Sequence, residues 1–133
     1  MNPKRVILLF SAIVSVIFFA CDDTLTYQDI DSKVIPSSNV SFGEYIQPVF
    51  RLKCNNANCH NSQDRAGKLS LDNHAEATSN FLVVFPGMPD NSKLVWAIEG
   101  RTTSPMPPIG LPPLTKNQIN GIRTWIKEGA KNN

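Results

Sequence analysis

The chain has 133 residues, 41% hydrophobic and 18% charged, with 13 basic and 11 acidic side chains, 10 Pro, 7 Gly, 3 Cys and 2 His. That length allows one domain of ordinary size, and the near balance of charge excludes a strongly basic nucleic-acid binder. The apolar residues are unevenly spread: in residues 6–20, VILLFSAIVSVIFFA, only Ser11 and Ser15 are polar.

Lys4 and Arg5 precede that run, and it ends in Phe18-Phe19-Ala20-Cys21. A positive start, a short apolar stretch and a small residue at its end are the parts of a secretory signal peptide. Fifteen residues rise about 22 Å as a helix, short of a hydrocarbon core of roughly 30 Å. An uncleaved membrane anchor is the competing reading. Ala20-Cys21 resembles the lipobox of bacterial lipoproteins, in which the Cys becomes the lipidated first residue, although Phe18 and Phe19 depart from the usual small or aliphatic choices. Residues 1–20 are therefore expected to be a lipoprotein signal peptide and Cys21 the lipidation site. The protein would be exported and anchored in a bacterial cell envelope, on the periplasmic face of either membrane or at the cell surface. Asp22 and Asp23 resemble sorting signals of some Gram-negative bacteria, but their meaning differs between lineages. With Lys4 and Arg5 removed, 11 basic residues stand against 11 acidic ones, so net charge cannot steer a partner from a distance.

Residues 21–40 are polar and without sustained period, which predicts a flexible lipid-anchored linker. The folded domain is expected over 41–133, with a core from about Val40 to Ala130. A core that small often needs a staple, a metal or a cofactor.

Four short helices follow from the pattern. Ser41 with Glu44 has capping-box spacing, ahead of Phe42, Tyr45, Ile46, Val49 and Phe50 on one face; Pro48 should kink that helix or delay its start. Asn73 with Glu76 starts a second. Asp90 caps a third carrying Leu94, Val95, Ala97 and Ile98, with Gly100 as its stop. Thr115 and Gln118 box the fourth, where Ile119, Ile122, Trp125 and Ile126 form the buried stripe and Gly129 ends it. No stretch alternates with period two and no repeat occurs. The expected fold is all-α.

The chemistry lies in Cys54-Asn55-Asn56-Ala57-Asn58-Cys59-His60. Two nearby Cys followed directly by His is the pattern by which c-type haem is attached: the thiols add to the two vinyl groups and the His reaches the iron. The spacing here is C-x4-C-H rather than C-x2-C-H. Two extra residues must loop out, and Asn55, Asn56 and Asn58 suit that because Asn tolerates turn and left-handed conformations. Three other readings stay open: a Cys54–Cys59 disulfide, zinc held by Cys54, Cys59, His60 and His74, and incidental free thiols. His74 otherwise reads as a solvated helix residue.

Methionine opposite His is the ligation of electron-carrying cytochromes c. Met106 lies in Ser104-Pro105-Met106-Pro107-Pro108, in a loop with five prolines between 105 and 113. A stiff loop can hold a thioether at the iron with little entropy lost. Met88, in Pro86-Gly87-Met88-Pro89, is the runner-up, and a gap-filling core role is the plain alternative for Met106.

Together these residues resemble the small cytochrome c-like domains of exported bacterial proteins and lipoproteins. The similarity runs from Phe42 to Ala130. FGEYIQPVF (42–50) resembles the family's first helix, GKLSLD (67–72) the segment after the His, and FPGMPDNSKL (85–94) its Pro-Gly turn. Met106-Pro107-Pro108 resembles the distal-methionine loop, and Leu114-Thr115 to Gly129-Ala130 the terminal helix. The resemblance implies haem c, one per chain, with thioethers at Cys54 and Cys59, His60 as proximal and Met106 as distal iron ligand. It also implies that the first and last helices cross near the haem edge, with Phe50 and Trp125 in the contact.

The expected function is a monohaem one-electron carrier, a monomeric domain serving redox partner proteins, with no enzymatic activity of its own. Two rivals remain: a haem protein with an open distal site, peroxidase-like, and a haem-free lipoprotein binding module closed by a Cys54–Cys59 disulfide. Lys53, Arg65 and Lys68 form a possible basic docking patch, with an ordinary solvated surface as the simpler reading.

Overall fold

A computed structural model describes residues 24–133; the expected signal peptide and Cys21 lie outside the described residues. Five α-helices follow in order, α1 (Tyr27–Ser32), α2 (Gln47–Lys53), α3 (His74–Ala77), α4 (Lys93–Ile98) and α5 (Lys116–Lys127). A π-helical turn, Phe42–Ile46, runs straight into α2, and 3-10 turns at Ala66–Lys68 and Pro89–Asn91 precede α3 and α4. The described residues contain no strand. The all-α expectation holds.

The core forms where the π turn and α2 cross α5. Trp125 is fully buried, with its ring 5.3 Å from Phe42 and 6.4 Å from Phe50 between centroids. Ile46, Ile122 and Ile126, all 0% exposed, close around it. The crossing is locked from the far end of the chain: the backbone oxygen of Asn133 accepts from Gly43 N and Ser41 Oγ, and its Oδ1 from Phe42 N. These bonds satisfy donors that a helix start leaves without intrahelical partners.

Local sequence accounts for most of the helix ends. Pro48 sits in the first turn of α2, where the helix needs no donor, and the chain ahead of it is wound as the wider π turn, so regular helix begins late. Asn73 caps α3 through Glu76 N at 3.0 Å. Thr115 and Gln118 make both halves of their box, at 3.2 and 3.0 Å. Gly100 (φ 71°) and Gly129 (φ 100°) follow α4 and α5 in the left-handed conformation that stops a helix. Asp90 does not cap α4. The 3-10 turn intervenes, Ser92 stands at the cap, and Asp90 instead receives Arg123 Nη2 at 2.6 Å while Arg123 Nη1 reaches Glu99 at 2.8 Å. The expectation failed because Asp90 lies inside the 3-10 turn, two residues ahead of the cap position that Ser92 takes.

The expected flexible linker is corrected more substantially. From Thr26 onward it is folded: Thr26 and Asp29 form a complete capping box for α1, and Ile30, Ile35 and Val40 are 3%, 5% and 1% exposed. Asn117 on α5 grips the backbone of Ile35 from both sides, accepting from its N–H at 2.8 Å and donating to its carbonyl at 3.1 Å. The Glu128 carboxylate accepts from Asn39 N and Val40 N. Isolated apolar residues among polar ones carry no periodicity, so this strap was invisible to pattern reading.

Gly121 explains how the strap gets so close. A Cβ there would lie 2.6 Å from Ile35 Cγ2 and 2.8 Å from its Cδ1. Gly121→Ala should therefore trade its helix-propensity gain for an overpacking cost of about 1–3 kcal/mol, read as a lower denaturant midpoint at constant slope. Restoring room with Ile35→Val in the same chain should recover part of the loss.

Candidate functional site

A cavity of about 490 Å³ opens between the segment after α2, helix α4 and the proline-rich loop, within the range typical of cofactor sites. Cys54, Cys59 and His60 line one part of it, and Met106, with Pro107 and Pro108, lines another. Leu69, Leu94, Ala97 and Ile98 supply apolar lining. Four residues singled out by sequence thus meet around one space.

Position 60 is set by backbone bonds on both sides. His60 N donates to Cys54 O at 3.0 Å, closing the C-x4-C-H loop on itself, and His60 O accepts from Leu71 N at 2.8 Å. The ring Nδ1 lies 2.9 Å from Ala66 O. A carbonyl can only accept, so Nδ1 carries the proton, and in the neutral ring that leaves the lone pair on Nε2, the tautomer a metal-ligating His requires. That orienting contact had no sequence signal, because Ala66 contributes only its backbone.

The two extra spacer residues form a turn: Cys59 N donates to Asn56 O at 3.0 Å, and Asn58 adopts φ 63° as expected of Asn. Two carboxylates that the sequence did not single out hold this loop. Asp64 accepts from Asn58 N and Asn61 Nδ2, both at 2.7 Å. Asp72 accepts from Asn55 Nδ2 at 2.7 Å and Ser62 N at 2.6 Å. Hydrogen bonds from Asn61 and Asn58 hold the Asp64 carboxyl below its ordinary 3.8. Hydrogen bonding by Ser62, against a smaller opposing effect of burial and with help from Asn55 and Arg51, does the same for Asp72. A carboxyl depressed in the folded state contributes stability above the unfolded value and loses it as pH falls through the folded one. The thermal midpoint should therefore fall as pH drops below about 3.8, and an Asp64→Asn/Asp72→Asn chain should show a flatter midpoint-against-pH curve there.

Both thiols are free in the structure. Burial, with the neighbouring Cys59, pushes the Cys54 thiol up to about 12, against a lowering by Lys53. The zinc reading is corrected. His74 is absent from the cavity wall; its Nε2 lies 2.7 Å from Ala130 O and its ring packs edge-on against Phe42 at 5.1 Å. Among the described residues no three His, Cys, Asp or Glu side chains gather as a metal site. His74 is thus neither a ligand nor the solvated residue expected, but a strut between α3 and the end of the chain.

Met88, the runner-up ligand, lies outside the cavity wall and is 51% exposed. Met106 is held in place by its own N–H, which donates to Ala97 O on α4 at 2.9 Å. Trp96, which the sequence reading passed over, also lines the cavity, with Nε1 donating to Asp90 O at 2.6 Å. Alone on its turn among Leu94, Val95, Ala97 and Ile98, it reads from sequence as ordinary core.

The basic patch is corrected as well. Lys53 is 4% exposed and internal, while Arg65 pairs with Glu76 at 3.2 Å; of the three only Lys68 stands free among the described residues.

Residues 57–110 match the family model of planctomycete cytochrome C. The chain carries a cytochrome c-like domain. The matched stretch contains Cys59, His60 and Met106 and starts within the spacer, after Cys54. No curated protein and no solved structure matches the chain. The α2–α5 crossing lies outside the matched residues, and there Phe50 and Trp125 meet as the resemblance implied.

Proposed function

We propose that this protein is a monohaem c-type cytochrome, a one-electron carrier attached to a bacterial cell envelope through a lipid on Cys21. The observation that carries the reading is the convergence of Cys54, Cys59, His60 and Met106 on one apolar cavity. The donor set fits haem c: two thiols near a His whose other nitrogen is already engaged, and a thioether lining the same cavity. Cys54 and Cys59 would form the thioethers, and His60 and Met106 would be the axial ligands. Haem so held would supply a one-electron couple, and with His60 and Met106 both holding the iron it would have no open site for peroxide chemistry.

The chain's own contribution is rigidity and dryness. Ala66 O fixes the His60 ring, Ala97 O fixes the Met106 backbone, and the Asp64 and Asp72 contacts hold the loop between the thiols. Little need move when charge changes, and apolar walls limit solvent reorganisation. Export and lipidation are supported by Lys4, Arg5, the apolar run and Cys21; among the described residues no helix is long and apolar enough to cross a membrane. Redox proteins docking at the cavity mouth are the implied partners.

Intact mass of protein matured in a host with cytochrome c assembly tests this reading. It requires one haem added to the chain, and loss of that mass in Cys54→Ser/Cys59→Ser. A mass two hydrogens below the reduced chain would establish the disulfide module instead.

A further inference from the structure

One strongly charged group near the cavity has no part in holding the cofactor. The Lys53 side chain is 0% exposed and Lys53 also borders the cavity. Its Nζ donates to Asp31 Oδ1 at 2.5 Å, Pro113 O at 2.6 Å and Gln118 Oε1 at 3.2 Å, so all three ammonium hydrogens have acceptors. Gln118 Nε2 in turn donates to Asp31 Oδ1 at 2.9 Å and Ile30 O at 3.1 Å. One cation thereby joins α1, the end of the proline-rich loop and the cap of α5. An apolar side chain of similar length could fill this space at comparable or better stability. Packing alone does not explain the charge.

The partners are unequally screened. Lys53 is sealed from solvent, whereas the Asp31 side chain is 40% exposed, so water damps the carboxylate's field more than the ammonium's. A residual positive potential is left at the cavity wall. Cofactor potentials respond to nearby charge and burial, and reduction lowers the positive charge at the iron by one.

We propose that the Lys53–Asp31 pair sets the redox equilibrium of this cavity, with the buried Lys53 favouring the reduced state and Asp31 partly cancelling it. The assignment rests on the haem function proposed above and gives the strap a positioning role: by carrying Asp31 to Lys53, α1 fixes how much of the cation's field survives.

The test is a spectroelectrochemical titration of haem-loaded wild type, Asp31→Asn, Lys53→Met, Lys53→Arg and the Asp31→Asn/Lys53→Met double variant, all at one fixed pH. Asp31→Asn should shift the equilibrium toward the reduced form by about threefold. Lys53→Met should shift it toward the oxidised form by about tenfold, which is 59 mV for one electron. The double variant should fall between the single ones, and Lys53→Arg should stay near wild type. A purely structural role would loosen the same node in both single variants and move both potentials the same way. That result, or equal potentials throughout, overturns the assignment. If Lys53→Met does not fold, the sign of the Asp31→Asn shift decides alone: a fall or no change overturns it. Proteins lacking one haem of added mass would overturn the parent function and this assignment together, whereas equal potentials in haem-loaded proteins overturn this assignment only.

Discussion

Met106→Ala is expected to leave the haem covalently attached and to abolish the low-spin, Met-ligated spectrum. Attachment would depend on Cys54 and Cys59, not on Met106, and the proline-rich loop is fixed by backbone bonds, Leu111 N to Pro108 O and Met106 N to Ala97 O. Removing the thioether therefore opens the distal position without dismantling its walls. The ferric protein should become high-spin or bind added imidazole or cyanide. Met88→Ala should change none of this, because Met88 is half exposed and outside the cavity. A low-spin Met-type spectrum that survives in Met106→Ala and disappears in Met88→Ala would reverse the assignment.

Trp125→Ala should have the largest effect on stability. The ring is fully buried and in contact with Phe42, Phe50 and His74, at centroid distances of 5.3, 6.4 and 6.1 Å. Its Nε1 donates to Lys131 O at 2.8 Å. Truncation removes the transfer and packing terms together and leaves a cavity at the α2–α5 crossing, a cost of about 3–5 kcal/mol. Small domains have roughly 5–15 kcal/mol in total, so the variant should be marginal at room temperature. Urea unfolding in the presence and absence of covalent haem measures this. Trp125→Phe, which keeps most of the apolar volume, should recover a large part of the loss.

The two variants divide the molecule into what the sequence discloses and what it hides. Residues that act through their own side chains at fixed local spacing were legible: Cys54, Cys59 and His60 as a motif, Met106 in its proline-rich loop, Thr115 with Gln118, and the stripe carrying Trp125. Residues that act through backbone groups or distant partners were not. Ala66 orients His60 with a carbonyl any residue would offer. Asp64 and Asp72 hold the loop from Cys54 to His60 in part through backbone amides, and Asp72 meets Asn55 from 17 positions away. Asp90 reads as a cap from its local context, while its partner Arg123 lies 33 positions away. Lysines usually face solvent, whereas the three acceptors of Lys53 come from α1, the proline-rich loop and α5. The strap from Thr26 to Val40 was hidden for the same reason, since Ile30, Ile35 and Val40 find their contacts on elements far along the chain.

The strap also bears on how the domain would sit at a membrane. If Cys21 carries lipid, only the few residues between it and the Thr26 cap can act as a tether. At no more than about 3.6 Å per residue, that segment keeps the domain close to the surface rather than letting it stand off.

The most direct measurement for the central claim is a pyridine haemochrome spectrum of protein matured in a host with cytochrome c assembly, taken after acid–acetone extraction. An alkyl-type α band that survives extraction is the predicted result, because thioethers at Cys54 and Cys59 keep the haem on the chain. Colourless protein, from a host shown to mature other c-type cytochromes, would contradict the account and leave the cavity that His60 and Met106 line without an assigned occupant.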